Sequence, residues 1–197
     1  IDERFDDDYN YPDFEKVTDG VKYDAATQTY YLYSANGLKW VSEQSNSNTF
    51  NGYTIKLSSD VDLTNVSWTP IGNSSRHFQG IFDGQNHVIS NLTTTAPENA
   101  DTNYAAGLFG WVHYGGTVKN VKMTNVNVNS IHFAGAVVGY IYGIVENCHV
   151  DGGTVTSTVK NSDNGNSVGG IAGYVAEEGL TYGSAVKDCS VNGLTVT

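Results

Sequence analysis

The stretch GLFGWVHYGGTVKNVKM, residues 107–123, recurs twice more with drift. Its first half matches as Gly107-Leu108-Phe109-Gly110-Trp111, Ala136-Val137-Val138-Gly139-Tyr140 and Gly170-Ile171-Ala172-Gly173-Tyr174. Its second half matches as Val118-Lys119-Asn120-Val121, Val145-Glu146-Asn147-Cys148 and Val186-Lys187-Asp188-Cys189. Ile89-Ser90-Asn91-Leu92 reads as an earlier, weaker copy of that second half. Self-similarity at such a period means stacked units that share one continuous core.

The recurring side chains say which unit. β-Branched residues, several glycines per copy and no charged helical face favour strands over helices. Alternation then points Leu108/Val137/Ile171 and Val112/Ile141/Val175 inward. Phe109/Val138/Ala172 and Trp111/Tyr140/Tyr174 are expected to face outward. Val118/Val145/Val186, Val121/Cys148/Cys189 and Met123/Val150/Val191 are expected to form inward stacks. A third short strand is expected to end each copy, at Val126 and Val128, at Val155, and at Leu194 and Val196. The chain bends at Asn120, Asn147 and Asp188, residue types that tolerate a left-handed corner and can bond the equivalent side chain in the next layer. Lys119, Glu146 and Lys187 alternate in sign up one outward column, which favours in-register stacking. The expected fold class is all-β, a right-handed parallel β-helix with a short N-terminal helical cap.

Residues 1–29 read as an acidic N-terminal segment and residues 30–197 as the β-helix domain, with repeats near 105–129, 134–156 and 168–197. The acidic segment carries Asp2, Glu3, Asp6, Asp7, Asp8, Asp13 and Glu15, without the ligand spacing of a known calcium loop. Residues 34–43 form the one expected helix, capped by Ser34, with Leu38 and Val41 on one side and Trp40 beside them. Strands are expected at residues 30–33, 53–57 and 88–92. Residues 96–103 and 160–167 read as polar insertions.

A formal net charge of -11 argues against nucleic acid or an anionic membrane as partner. No stretch is long and apolar enough to span a bilayer. Residue 1 opens an acidic, polar stretch rather than a signal peptide. Cys148 and Cys189 occupy equivalent slots and read as buried, reduced neighbours, with no metal-type spacing.

Catalytic chemistry is hard to find. None of His77, His87, His113, His132 and His149 precedes Glu, so no HExxH zinc motif exists. No GxSxG is present, and no Cys-His grouping is evident. A polysaccharide lyase needs a basic residue beside acidic calcium ligands, yet Arg4 and Arg76 are the only arginines. Asp60, Asp62 and Asp83 are the best acidic candidates, and all sit in turn-like segments. No cofactor is expected. The feature with binding potential is the outward column Trp111, Tyr140 and Tyr174, which either takes sugar rings or a protein partner, or stacks on itself beneath the insertions.

The order SANGL, DVDL, WTPIG, FQGIFDGQNHVISNL and then the GLFG-type repeats resembles bacterial surface proteins carrying the GLUG motif, over about residues 30–197. Ala136 departs from the motif's first glycine in the second copy. The resemblance implies a right-handed β-helix at the cell surface or secreted, in bacteria such as Bacteroides, with adhesion or display as its role. Such repeats also occur in non-catalytic parts of IgA-cleaving metallopeptidases. The implied partners are host or bacterial surface proteins or glycans. The alternatives are a carbohydrate-binding module and a β-helical lyase or hydrolase. The last repeat stops on a strand at Leu194 and Val196 with no cap of its own. That predicts either a longer parent chain or a partner over the last layer.

Overall fold

The computed structural model describes residues 14–97, 100, 103–158, 167–176 and 183–197. At its N-terminal edge, β1 (Phe14–Thr18) pairs antiparallel with β2 (Val21–Asp24), and β2 with β3 (Thr29–Leu32). The division drawn at residues 29/30 therefore falls inside a hairpinned sheet. Much of the acidic stretch, residues 1–13, lies outside the described residues. After β3 comes α1 (Ala35–Gln44), whose Ser34 cap accepts from the Gly37 N–H at 3.2 Å. Leu38 and Val41 are fully buried on one face of α1, as its pattern requires.

From here all strand pairing is parallel. β3 pairs with β4 (Thr54–Leu57), followed by β5 (Val61–Asp62), β6 (Ile81–Asp83), β7 (Val88–Ser90) and β8 (Thr93–Thr95). The first full repeat runs through β9 (Ala105–Ala106), β10 (Phe109–Val112), β11 (Thr117–Lys119) and β12 (Lys122–Ser130). The second runs through β13 (Phe133–Gly135), β14 (Val138–Ile141), β15 (Ile144–Glu146) and β16 (His149–Ser157). The third runs through β17 (Ser167–Gly169), β18 (Ala172–Val175), β19 (Ala185–Lys187) and β20 (Ser190–Val196).

Equivalent strands of successive repeats stack in register. Val118 pairs with Val145 and Val145 with Val186; Met123 pairs with Val150 and Val150 with Val191. One sheet orders β4, β6, β11, β15 and β19; another orders β5, β7, β12, β16 and β20. β10, β14 and β18 form a third, and β9, β13 and β17 a fourth. Among the described residues the chain is mostly strand, with parallel sheets and one short helix.

Three sequence expectations are corrected. The third strand of each copy is longer than expected: β12, β16 and β20 start just after the asparagine or aspartate corner and run from the Met123 level to the Val128 level, kinked in β12 at Asn125 with φ 53°. The extra strand of each repeat instead precedes the glycine motif, at β9, β13 and β17. Second, Phe109 and Val138 are fully buried, not outward. Strict alternation fails at the corner entering β10 and β14, where the N–H groups of Val137 and Val138 both donate to the Ile171 carbonyl. Leu108 and Phe109 thus both enter the core, where Phe109 meets Phe78 and Phe82 at 5.0 and 5.2 Å between ring centroids. Third, Ile89 lies under Met123, not Val118, whose place in the earlier layer is taken by Phe82.

The corner residues behave as expected. Asn120, Asn147 and Asp188 are left-handed, at φ 55°, 50° and 53°. Asn147 Nδ2 donates to Asn120 Oδ1 at 2.7 Å, and Asn120 Nδ2 to Asp83 Oδ1 at 2.8 Å. A second ladder links Asn125 to Asn91 at 2.7 Å and Asn91 to Asp62 at 2.9 Å. The charge column holds too, with Glu146 and Lys187 paired at 2.7 Å and Lys119 4.0 Å from Asp83. These exposed or half-exposed pairs fix register more than they add stability.

Cys148 and Cys189 are both free thiols in matching slots, the first fully buried and the second half-buried. Burial pushes the Cys148 thiol up to about 12. A thiol held in that form is a poor nucleophile. Alkylation of the unfolded, unreduced protein should therefore label two thiols by mass; a monomer that labels at neither would mean a disulfide.

The third repeat is the open end of the stack. Val175, Val186, Val191 and Val196 are exposed there, and Leu194 is half-buried.

Candidate functional site: a stacked aromatic face and its flanking cleft

The outward column exists, and the fold extends it. β10, β14 and β18 place Trp111 beside Tyr140 and Tyr140 beside Tyr174. The Trp111 and Tyr140 rings stack at 3.9 Å and 15°, and Tyr140 and Tyr174 at 4.8 Å and 29°. His77, one layer earlier, stacks on Trp111 at 5.2 Å and 18°. Phe133 packs edge-on against Tyr140 at 4.9 Å. A second row runs beside the first. His113 lies 5.5 Å from Tyr142, and the Tyr140 and Tyr142 hydroxyls are 3.1 Å apart. The pairing of Val112 with Ile141 already implied this row, because the next residues are His113 and then Tyr142.

This geometry decides what the column offers. The indole of Trp111 is covered on one face by His77 and on the other by Tyr140. Its Nε1 donates to the Asn103 carbonyl at 3.0 Å, and only 9% of the residue is exposed. Trp111 and Tyr140 therefore present ring edges, not faces, and Tyr174, at the end of the stack, is the most exposed member at 41%. Aromatic stacks of this kind hold layers together whether or not a ligand is present.

His77 adds a titration. Its Nε2 donates to the Ser74 carbonyl at 3.0 Å, and its ring lies 4.7 Å from that of His113. Burial, and then the neighbouring His113, hold its pKa below the usual 6.5. The unfolded chain then binds the proton first, so stability is lost as pH falls below about 6.5 toward the folded-state value. Between pH 7 and 5 the wild type should lose more stability than His77→Gln. Urea midpoints at the two pH values check this; identical shifts in both proteins would refute it.

Each acidic candidate braces the scaffold through one carboxylate oxygen. Asp60 accepts from the Val88 N–H at 2.8 Å and lies 3.2 Å from His87 Nδ1, and the Val88 bond holds its carboxyl below the usual range. Asp62 accepts from Asn91 and from Thr64, which lowers it to about 2. Asp83 is buried and accepts from Asn120 and from the Gln85 N–H. His87 thus braces a turn through Asp60.

A cleft of about 270 Å³ opens beside Trp111. Asn46, just past the end of α1, forms one wall. Thr69, Pro70, Gly72, Asn73, Ser74 and Ser75 form a second, and Asn103, Tyr104 and Ala105 a third. Residue types alone did not reveal it, because its walls come from three separated segments.

No protein-family model matches the chain. Over 136 residues, 65% of the chain, it is 30% identical to Halomucin of Haloquadratum walsbyi, and it spans 1% of that protein's length. Its fold is similar to the solved structure of a candidate immunoglobulin A1 protease from Bacteroides ovatus, with TM-score 0.58 and 19% identity over 86% of this chain and 62% of that one. At that identity the likeness concerns fold alone.

Proposed function

We propose that the chain is a non-catalytic, adhesin-like module of a cell-surface or secreted protein, built as a right-handed parallel β-helix of GLUG-like repeats. One observation supports the non-catalytic part. Asp60, Asp62 and Asp83, the carboxylates best placed to serve a lyase, each use Oδ1 to accept from backbone or ladder donors. The in-register stacking of the three repeats supports the β-helix reading. The likeness to Halomucin supports surface placement. The candidate protease of similar fold fits the occurrence of such repeats in large surface proteins.

Antibody raised against the purified chain should label intact cells of its source, and brief external proteolysis should remove the signal. A signal seen only after the cells are broken open would overturn the surface reading. The non-catalytic part predicts no release of unsaturated sugars from acidic polysaccharides, with or without calcium. Calcium-dependent release that is abolished by Asp60→Asn or Asp83→Asn would overturn it.

A further inference from the structure

The cleft beside Trp111 contrasts in chemical character with the acidic chain around it. The chain carries a net charge of -11, yet the described residues of the walls hold no carboxylate, ammonium or guanidinium group. They hold amides, hydroxyls and the indole of Trp111. Among the described wall residues Tyr104 is the one titratable group, and burial raises its phenol above the usual 10.0, so it stays neutral.

The polar groups have capacity to spare. Asn73 uses its side-chain oxygen to accept from the Ser75 and Arg76 N–H groups, which fixes the turn and leaves its amino group to donate. Asn46 spends one N–H on the Glu43 carbonyl and keeps its oxygen and second N–H. Ser74 and Ser75 add hydroxyls that both donate and accept. The indole supplies an apolar wall. Amides and hydroxyls set against an aromatic edge suit a ligand with many hydroxyls, an apolar C–H face and no charge.

From this geometry we infer that the cleft is a binding site for one ring of a neutral sugar. The site shares the edge of Trp111 with the stacked column but lies to one side of the stack, where the Trp111 ring faces are filled by His77 and Tyr140. A volume of 270 Å³ lies just under the span of about 300–1,000 Å³ usual for small-molecule sites, so it takes a ring or a chain end rather than an extended polymer. An anionic sugar meets no cation among the described wall residues, the Arg76 guanidinium lying behind Ser75 on its carbonyl at 3.4 Å, and is repelled by the net charge of the chain. The inference deepens the adhesin-like reading by naming a ligand class, but binding by the purified chain stands or falls separately from surface display.

The test uses the whole 197-residue chain. Glucose, galactose, mannose, xylose and N-acetylglucosamine are titrated by saturation-transfer NMR and calorimetry, beside glucuronate, galacturonate and a short neutral peptide. At least one neutral sugar should bind in the millimolar range, as expected of a small ligand with few contacts. The matching uronate should bind at least about tenfold more weakly. Ser75→Trp fills the mouth from an exposed position, and Asn46→Ala removes an amide from the opposite wall. Each should weaken binding about tenfold or more with unchanged circular dichroism. If no neutral sugar binds, if uronates bind as well, if the peptide binds instead, or if both folded variants bind like wild type, the assignment is wrong. None of these results would affect surface labelling of intact cells.

Discussion

Val145→Asp is expected to abolish the folded state. Val145 has no exposed surface, and it lies in one column between Val118 and Val186. A carboxylate there loses its water and meets only apolar neighbours, a cost of several kcal/mol against a total stability of about 5–15 kcal/mol for a domain. Val145→Ala is the control. It removes two methyl groups and should cost only about 2 kcal/mol, leaving a folded protein. Urea unfolding followed by circular dichroism separates the two. A Val145→Asp protein with a native spectrum and an unchanged midpoint would show that the strand faces solvent.

Gly139→Ala should be the second large effect, and it tests why a glycine recurs at that slot. A Cβ at Gly139 would lie 2.7 Å from the Ala105 Cβ, 2.8 Å from the Ala106 nitrogen and 2.9 Å from the Ala105 carbonyl carbon. Two of those three atoms are backbone, so no side chain can swing away. Gly173 meets the backbone of Ala134 in the same manner, at 2.6 Å. The glycine is thus a contact residue: β9 and β13 lie so close to β14 and β18 that no side chain fits between them. Overpacking should cost about 2–4 kcal/mol, against the gain of less than 1 kcal/mol that Gly→Ala usually brings by restricting the unfolded chain. At Gly183 an added Cβ has nothing within 4 Å among the described residues, and Gly183→Ala should be neutral or slightly stabilising. Equal midpoints for the two variants would refute the close-approach account.

The same contact explains what the sequence could not disclose. Where layers repeat like over like, the pattern was readable: the register of Val118, Val145 and Val186 follows directly from the alignment, and so does the sign alternation of Lys119, Glu146 and Lys187. Ala105-Ala106 and Phe133-Ala134-Gly135 carry no alternation of bulky residues, because backbone proximity selects them rather than core filling. Strands made that way look like loops. Ile89 was placed one strand too early because Asn91 and Asn120 are both left-handed corner asparagines, and either aligns with the other by type. Phe109 was misplaced because alternation presumes a continuous strand, and the chain turns a corner just before it. The aromatic column was legible as a row of side chains. That its faces are mutually filled depends on ring planes, which no sequence pattern records. The cleft depends on the approach of three segments distant in the chain.

The spacing between layers has a consequence for how the molecule comes together. Equivalent bonds join residues 27 apart between the first two repeats, as in Asn120 to Asn147, and 41 apart between the last two, as in His149 to Ser190. The longer interval takes in the second polar insertion, yet the pairing of β12 with β16 and of β16 with β20 keeps the same register. Assembly therefore needs only closures of one layer at a time, each much shorter than the chain, and a loop that grows from 27 to 41 residues costs only about 0.4 kcal/mol more to close. Each docked layer becomes the template for its neighbour, so order spreads along the axis as in a one-dimensional chain of coupled units.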